Sequence, residues 1–256
     1  MLIVTKFKHN DIVYNLFEND EKKKQDAKNR YLGLQRQIKN IFSNSKEYKN
    51  KANEFYWELG NIIRQFITEN NIREEKYIMD VFESVKSVIY ELDENFAKDS
   101  LKRKRNLAHY FYMLAGYEKK YVIKTSWSTW HYLFENYHLS SIGQLHEFLR
   151  LKLKENKGEF KEGFIRLFCM TANSMFNKCD LTSWDKDNII MTIELSYSIT
   201  EKIAKNYNIY DRKIRKPLSD KLKLILKDNY TNLLYCYAGD ISFKEFEEKI
   251  LLELNN

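Results

Sequence analysis

Four consecutive cations, Lys102-Arg103-Lys104-Arg105, follow the pair Asp99-Ser100 and precede an apolar stretch that opens Asn106-Leu107-Ala108-His109-Tyr110-Phe111. Asp99 or Ser100 offers an acceptor that can cap the first free amides of a helix. Leu107, Phe111 and Leu114 recur at helical spacing and give that helix a face to bury. Lys102, Arg105, Asn106 and His109 fall on a different side. A short helix held on one side and cationic on the other suits a nucleic-acid groove. Its lysines and arginines would neutralise phosphates and release counterions. Arg105 and Asn106 carry the donors and acceptors that fit guanine and adenine edges. Cations at a helix N-terminus oppose the macrodipole by roughly a few tenths of a kcal/mol each, which an external anion would relieve.

A second basic segment, 212–223, would add Arg212, Lys213, Arg215, Lys216, Lys221 and Lys223. Trp127 and Trp130, in Ser126-Trp127-Ser128-Thr129-Trp130-His131, offer rings for stacking on bases or a partner, or for packing in a core. The net charge of +7 is unevenly spread. Residues 22–51 hold ten Lys/Arg against Asp26 and Glu47, and residues 202–227 hold nine against Asp211 and Asp220. Residues 99–124 hold seven against Asp99 and Glu118. Three such runs could form one basic face, although basic runs are also ordinary solvated helix surfaces.

The elements that must carry these residues are helices. Seven glycines and one proline, Pro217, are too few for the turns of an all-β chain. Apolar residues step by three and four through Tyr31, Leu34, Ile38, Ile41 and Phe42, through Phe55, Leu59, Ile62, Ile63 and Phe66, and through Ile78, Val81, Phe82, Val85, Val88, Ile89 and Leu92. A first helix is expected at 8–19, and Asn70-Asn71 should break the helix over 46–69. Ser126 and Ser242 read as helix caps, and Pro217 as a residue near a helix start, where a missing amide does no harm. The reading is an all-α, two-lobed multi-helix bundle. Residues 1–140 would form a basic domain with a helix-turn-helix-like segment at 78–115, and residues 141–256 a second helical domain.

Cys169, Cys179 and Cys236 are odd in number and unpaired in spacing, which argues for small core residues rather than disulfides. His131, His138 and His146 have no carboxylate at metal spacing, so no metal and no cofactor is expected. No Ser-His-Asp, Cys-His, Walker or dinucleotide-binding glycine pattern is visible. The N-terminal apolar run is too short for a signal peptide and no apolar stretch would span a membrane, so the cytoplasm is the expected compartment.

Phe55-Tyr56-Trp57-Glu58-Leu59-Gly60, Lys104-Arg105-Asn106-Leu107-Ala108 with its aromatic sequel, and Trp127-Ser128-Thr129-Trp130-His131 occur in an order that resembles the N-terminal helical domain of YhcG-like nucleases of the PDDEXK type. The resemblance covers residues 30–137. It implies a helix-turn-helix-like module that sets helix 100–115 against nucleic acid. The family's nuclease half needs an Asp at a strand end and a Glu-x-Lys on the next strand, to hold a divalent metal. Gly158-Glu159-Phe160-Lys161 is only superficially like that stretch, and no β-rich run with an Asp precedes it.

The expectation is therefore a non-enzymatic nucleic-acid-binding protein, its partner DNA, RNA or a nucleoprotein complex. The alternative is a protein-interaction module of a mobile element or defence system, such as an inhibitor that docks on a nucleoprotein effector.

Overall fold

A computed structural model describes residues 21–43, 52–92, 107–135, 142–155, 159–176 and 185–256. The described residues form twelve helices and no strand, an all-α fold. These are α1 (Glu21–Ser43), α2 (Ala52–Glu69), α3 (Glu75–Leu92), α4 (Leu107–Leu114), α5 (Lys119–Val122), α6 (Trp127–Glu135), α7 (Gly143–Glu155), α8 (Glu162–Phe176), α9 (Lys186–Asn206), α10 (Arg212–Asp228), α11 (Tyr230–Ala238) and α12 (Phe243–Asn255). The helix expected at 8–19 lies outside the described residues.

Packing divides the chain into two units, Met1–Ile123 and Lys124–Asn256. This corrects the boundary expected near residue 140. The reason lies around α6. That helix packs on α8, and just before it Thr125 Oγ1 accepts the amide of Phe160 at 3.0 Å. The Ser126-Trp127 element therefore belongs with the second unit.

In the first unit, α2 packs on α1, α3, α4 and α5. Its buried face, Phe55, Leu59, Ile63, Phe66 and Ile67, follows the apolar stepping of the sequence. Asn71, at φ 52°, ends it: the Asn71 amide reaches the Thr68 carbonyl and the Ile72 amide the Ile67 carbonyl, each at 3.0 Å. These bonds close the helix in a left-handed cap, with Ile72 buried beyond it. The seam with residues 107–122 is polar at its edge. Trp57 Nε1 donates to the Tyr117 carbonyl at 2.8 Å, and Lys119 Nζ meets Glu54 at 2.8 Å and Glu58 at 2.7 Å. The Glu54 and Glu58 carboxylates hold the Lys119 ammonium above its usual range. Along the apolar middle of the seam, Tyr56 stacks on Phe111 at 4.9 Å.

Gly60 sets the distance of that seam. A Cβ there would lie 1.8 Å from the Phe111 carbonyl oxygen and 2.4 Å from its carbon. Backbone blocks the space, so no rotamer change can relieve it.

In the second unit, α8 packs on α6, α9 and α10, and α12 closes against α9, α10 and α11. Leu167, Ile199, Ile209, Leu222, Leu233, Phe246 and Ile250 belong to its core. One face of α9 carries buried Thr192, Ser196 and Thr200, each returning its hydroxyl to the carbonyl four residues back, at 2.7, 2.7 and 2.8 Å. Buried hydroxyls are thereby satisfied inside their own helix. Glu247 is buried on α12, and Lys202 on α9 reaches its Oε2 at 2.6 Å.

Caps fix where these helices start. Ser126 Oγ accepts the Thr129 amide at 3.3 Å, and Ser242 with Glu245 forms a capping box. Asp211 accepts the Lys213 amide at 2.8 Å and opens α10 five residues before Pro217. Pro217 thus lies inside the helix rather than near its harmless first position, and the carbonyl of Lys213 loses its intrahelical donor.

Two glycine replacements test this packing. Gly60→Ala should destabilise the protein by roughly 3 kcal/mol, the upper end of overpacking costs. Gly33→Ala on α1, where nothing lies within 4 Å of the added carbon, should stabilise by about 0.5–1 kcal/mol. Urea titrations of both variants read the opposite signs.

Candidate functional site

The cations Lys102, Arg103, Lys104 and Arg105, and Asn106 beside them, lie outside the described residues. So does the turn of the helix-turn-helix-like segment, whose flanking helices are α3 and α4. His109 is described, and its role differs from the expected one. Its ring stacks on Phe82 at 5.2 Å, half-buried between α3 and α4. Burial holds the imidazole below the usual histidine range, against a weaker opposing pull from Glu75. A neutral ring in a stack contributes no charge to a phosphate.

Trp130 is buried, stacked on Phe134 at 5.9 Å, and serves the core. Trp127 is half-buried and tilted against His131 at 6.0 Å. His131 Nε2 lies 3.2 Å from Glu135 Oε1. Cys169 and Cys236 are free and buried, and burial pushes both thiols up, away from a reactive thiolate. Cys179 and His138 lie outside the described residues. Among the described residues no three His, Cys, Asp or Glu side chains are grouped to hold a metal, and no helix is long and apolar enough to cross a membrane.

The second basic segment is where the structure gathers charge. α10 buries Leu222, Ile225 and Leu226. At 3.6 residues per turn, Arg212, Lys213, Lys216, Lys223 and Lys227 fall within roughly 100° of arc away from that stripe. All five are exposed, and none has a side-chain hydrogen bond or ion pair among the described residues. They span about 22 Å along the helix axis at 1.5 Å per residue. Asp220 is the one acid on the same arc. Some cations elsewhere are paired, Arg166 with Glu162 and Lys152 with Glu155, both at 2.7 Å, as well as Lys119 and Lys202. Lys223 and Lys227 therefore join the arc, Lys227 without having been anticipated from the sequence. Its signal was present in the steps of four and seven from Arg212 to Lys216, Lys223 and Lys227.

Two predicted residues leave the set. Arg215 is half-buried and donates from Nη1 to the Ile209 carbonyl at 2.9 Å. Lys221 donates to the Leu254 carbonyl at 2.9 Å. Arg215 clasps the turn that leads into α10, and Gly163 on α8 admits this turn. A Cβ at Gly163 would lie 2.7 Å from the Ile209 oxygen and 3.0 Å from Arg215 Nη1.

Beside the clasp opens a cleft of about 290 Å³. Phe160, Phe164, Tyr197 and Tyr210 supply its aromatic walls. Tyr197 is fixed by edge contacts with Phe148, Phe164 and Phe168 at 5.2, 5.0 and 5.8 Å. Tyr210 is 48% exposed, with Lys161 Nζ 4.8 Å from its ring centre. Glu159 and Glu201 face Lys161 and Lys205 around the rim, so its formal charge cancels. Sequence reading missed this cleft, because its walls come from α8, α9 and the turn at 207–211.

No family model, curated protein or solved structure matches this chain.

Lowering the pH should weaken the first unit through His109. Its folded-state pKa lies below the unfolded value, so its stabilisation is complete above about pH 6.5 and is lost as the pH falls through the folded value. Urea midpoints at pH 7.5 and 5.5 should differ less in His109→Phe than in the parent protein. In the second unit, Gly163→Ala should cost about 1–3 kcal/mol by overpacking, with the loss read from thermal unfolding.

Proposed function

We propose that this protein is a non-enzymatic nucleic-acid-binding protein whose phosphate contacts are made by the exposed face of α10. The observation that carries this reading is the row of five cations, Arg212, Lys213, Lys216, Lys223 and Lys227, on one rigid helix without acidic partners among the described residues. A helix that segregates its cations on one arc keeps its electrostatic potential directed at solvent. The apolar stripe Leu222, Ile225 and Leu226 fixes the helix to its unit, so the cations are presented with little backbone entropy to lose. The cluster at Lys102–Arg105 would extend the same electrostatic attraction. So would the helix-turn-helix-like module that the resemblance to YhcG-like nucleases implies.

An interaction module that docks on an acidic or RNA-bearing groove is the second reading. The exposed Leu224 at the edge of the arc favours it, since an apolar side chain beside cations suits a protein surface better than a phosphate backbone.

Fluorescence anisotropy with labelled DNA and RNA at low salt tests the proposal. Five phosphate contacts give a log–log salt slope of roughly −3.5 on a single strand to −4.5 on a duplex. Reversing Arg212, Lys216 and Lys223 to Glu should abolish binding while leaving the circular dichroism spectrum unchanged. A parent protein that binds neither polymer at low salt would remove the reading and leave the docking module.

A further inference from the structure

We infer that the nucleic acid taken by this face is single-stranded, with one unstacked base held in the cleft between Tyr210 and Tyr197. The inference rests on the reading of α10 as the phosphate-contacting face. It is carried by the position of the cleft, its walls and its charge.

Position comes first. Tyr210 is the last wall of the cleft, Asp211 caps α10, and Arg212 is the first cation of the arc. Asp211 is extended, at φ −77° and ψ 121°, so Tyr210 and Arg212 are separated by at most about 7 Å of backbone. The clasp of Arg215 on the Ile209 carbonyl holds this short connection against Gly163. The aromatic wall and the start of the charged arc are thus one rigid piece.

The walls fit a flat apolar ring. Tyr197 is 6% exposed, boxed by three aromatic edges and has Lys152 Nζ 5.4 Å from its ring centre, so it is a fixed floor and Tyr210 is the ring left to stack. Tyr210 is half in solvent and already carries a cation over its ring. Base–aromatic stacking is indifferent to sequence, because every base has a π face. At about 290 Å³ the cleft lies just below the range of pockets for drug-sized ligands, which start near 300 Å³. It has room for one base.

The charges around the rim cancel, so the cleft offers a phosphate no net attraction. Glu159 and Glu201 offset Lys161 and Lys205, and a carboxylate repels a phosphate oxygen. Carboxylates instead accept the amino hydrogens that bases present on their edges. Glu201 keeps this capacity while standing within electrostatic reach of Lys152. Phosphates therefore belong on α10 and a base in the cleft. A duplex cannot supply that base without unpairing it, at a cost of several kcal/mol per flipped nucleotide by general estimate.

The test compares a mixed-sequence DNA oligonucleotide, the RNA of the same sequence and the corresponding DNA duplex in anisotropy titrations with the full chain. The parent protein should bind at least one single strand about tenfold more tightly than the duplex. Tyr210→Ala should lose about tenfold on that strand, the effect of one stack, with no change on the duplex. Tyr210→Phe should restore the parent affinity. The comparison of strands in the parent protein needs no variant, so it stands even where Tyr210→Ala fails to fold. Equal affinity for strand and duplex, or a well-folded Tyr210→Ala that binds like the parent, overturns the inference while leaving the charged face intact. Absence of binding to all three polymers removes both.

Discussion

The approach of Gly163 to the turn at 209–215 is the constraint on which the second unit's surface depends. Two backbones meet there with no room for a methyl group, and the Arg215 guanidinium bridges the turn to the Ile209 carbonyl. Without that approach, α10 would have no fixed start and Tyr210 no fixed height above α8. Gly60 does the same for the first unit, where α2 meets the backbone of α4 at Phe111. In both units the smallest side chain decides where larger ones are delivered. Interiors packed at crystal-like density transmit a fraction of an ångström at such a point to everything beyond it.

The distribution of ion pairs separates architecture from surface chemistry. Lys119 is held by Glu54 and Glu58, Lys202 by Glu247, and Arg166 by Glu162, in each case joining elements or closing a helical turn. The exposed pairs among these contribute little stability, about 0–1 kcal/mol each, whereas Glu247 is a buried partner. Their effect is to remove free charge from those surfaces. The five cations of α10 form no such pair among the described residues, although Asp220 lies on the same arc. Asp211 is engaged by the Lys213 amide.

The helices were legible because burial imposes its period on the sequence. The runs through Phe55–Phe66 and Ile78–Leu92 became α2 and α3, and Asn71 and Ser242 terminated or opened helices by local chemistry that needs no distant partner. What escaped the sequence depended on neighbours. His109 and Arg215 looked like surface polar residues until Phe82 and the Ile209 carbonyl were brought to them. The cap at Asp211 outranked the proline as the start of α10. The short α5 and the break at Asn229 were not anticipated; Asn229 is buried and donates to the Ile225 carbonyl at 3.0 Å and to Glu253 at 2.8 Å. Of the candidate site, the residue types along 212–223 were legible. Their sorting into exposed and engaged members was not, and neither was the aromatic cleft assembled from three separate segments.

Pro217 gives α10 an uneven stiffness. One rung of the hydrogen-bond ladder is missing at the carbonyl of Lys213, and a helix bends most readily where its ladder is cut. Arg212, Lys213 and Lys216 stand on the side of that joint tied to the turn by Arg215, while Lys223 and Lys227 stand on the side bolted down by Ile225 and Leu226. The two groups of cations thus have separate anchors, one on each side of the missing rung.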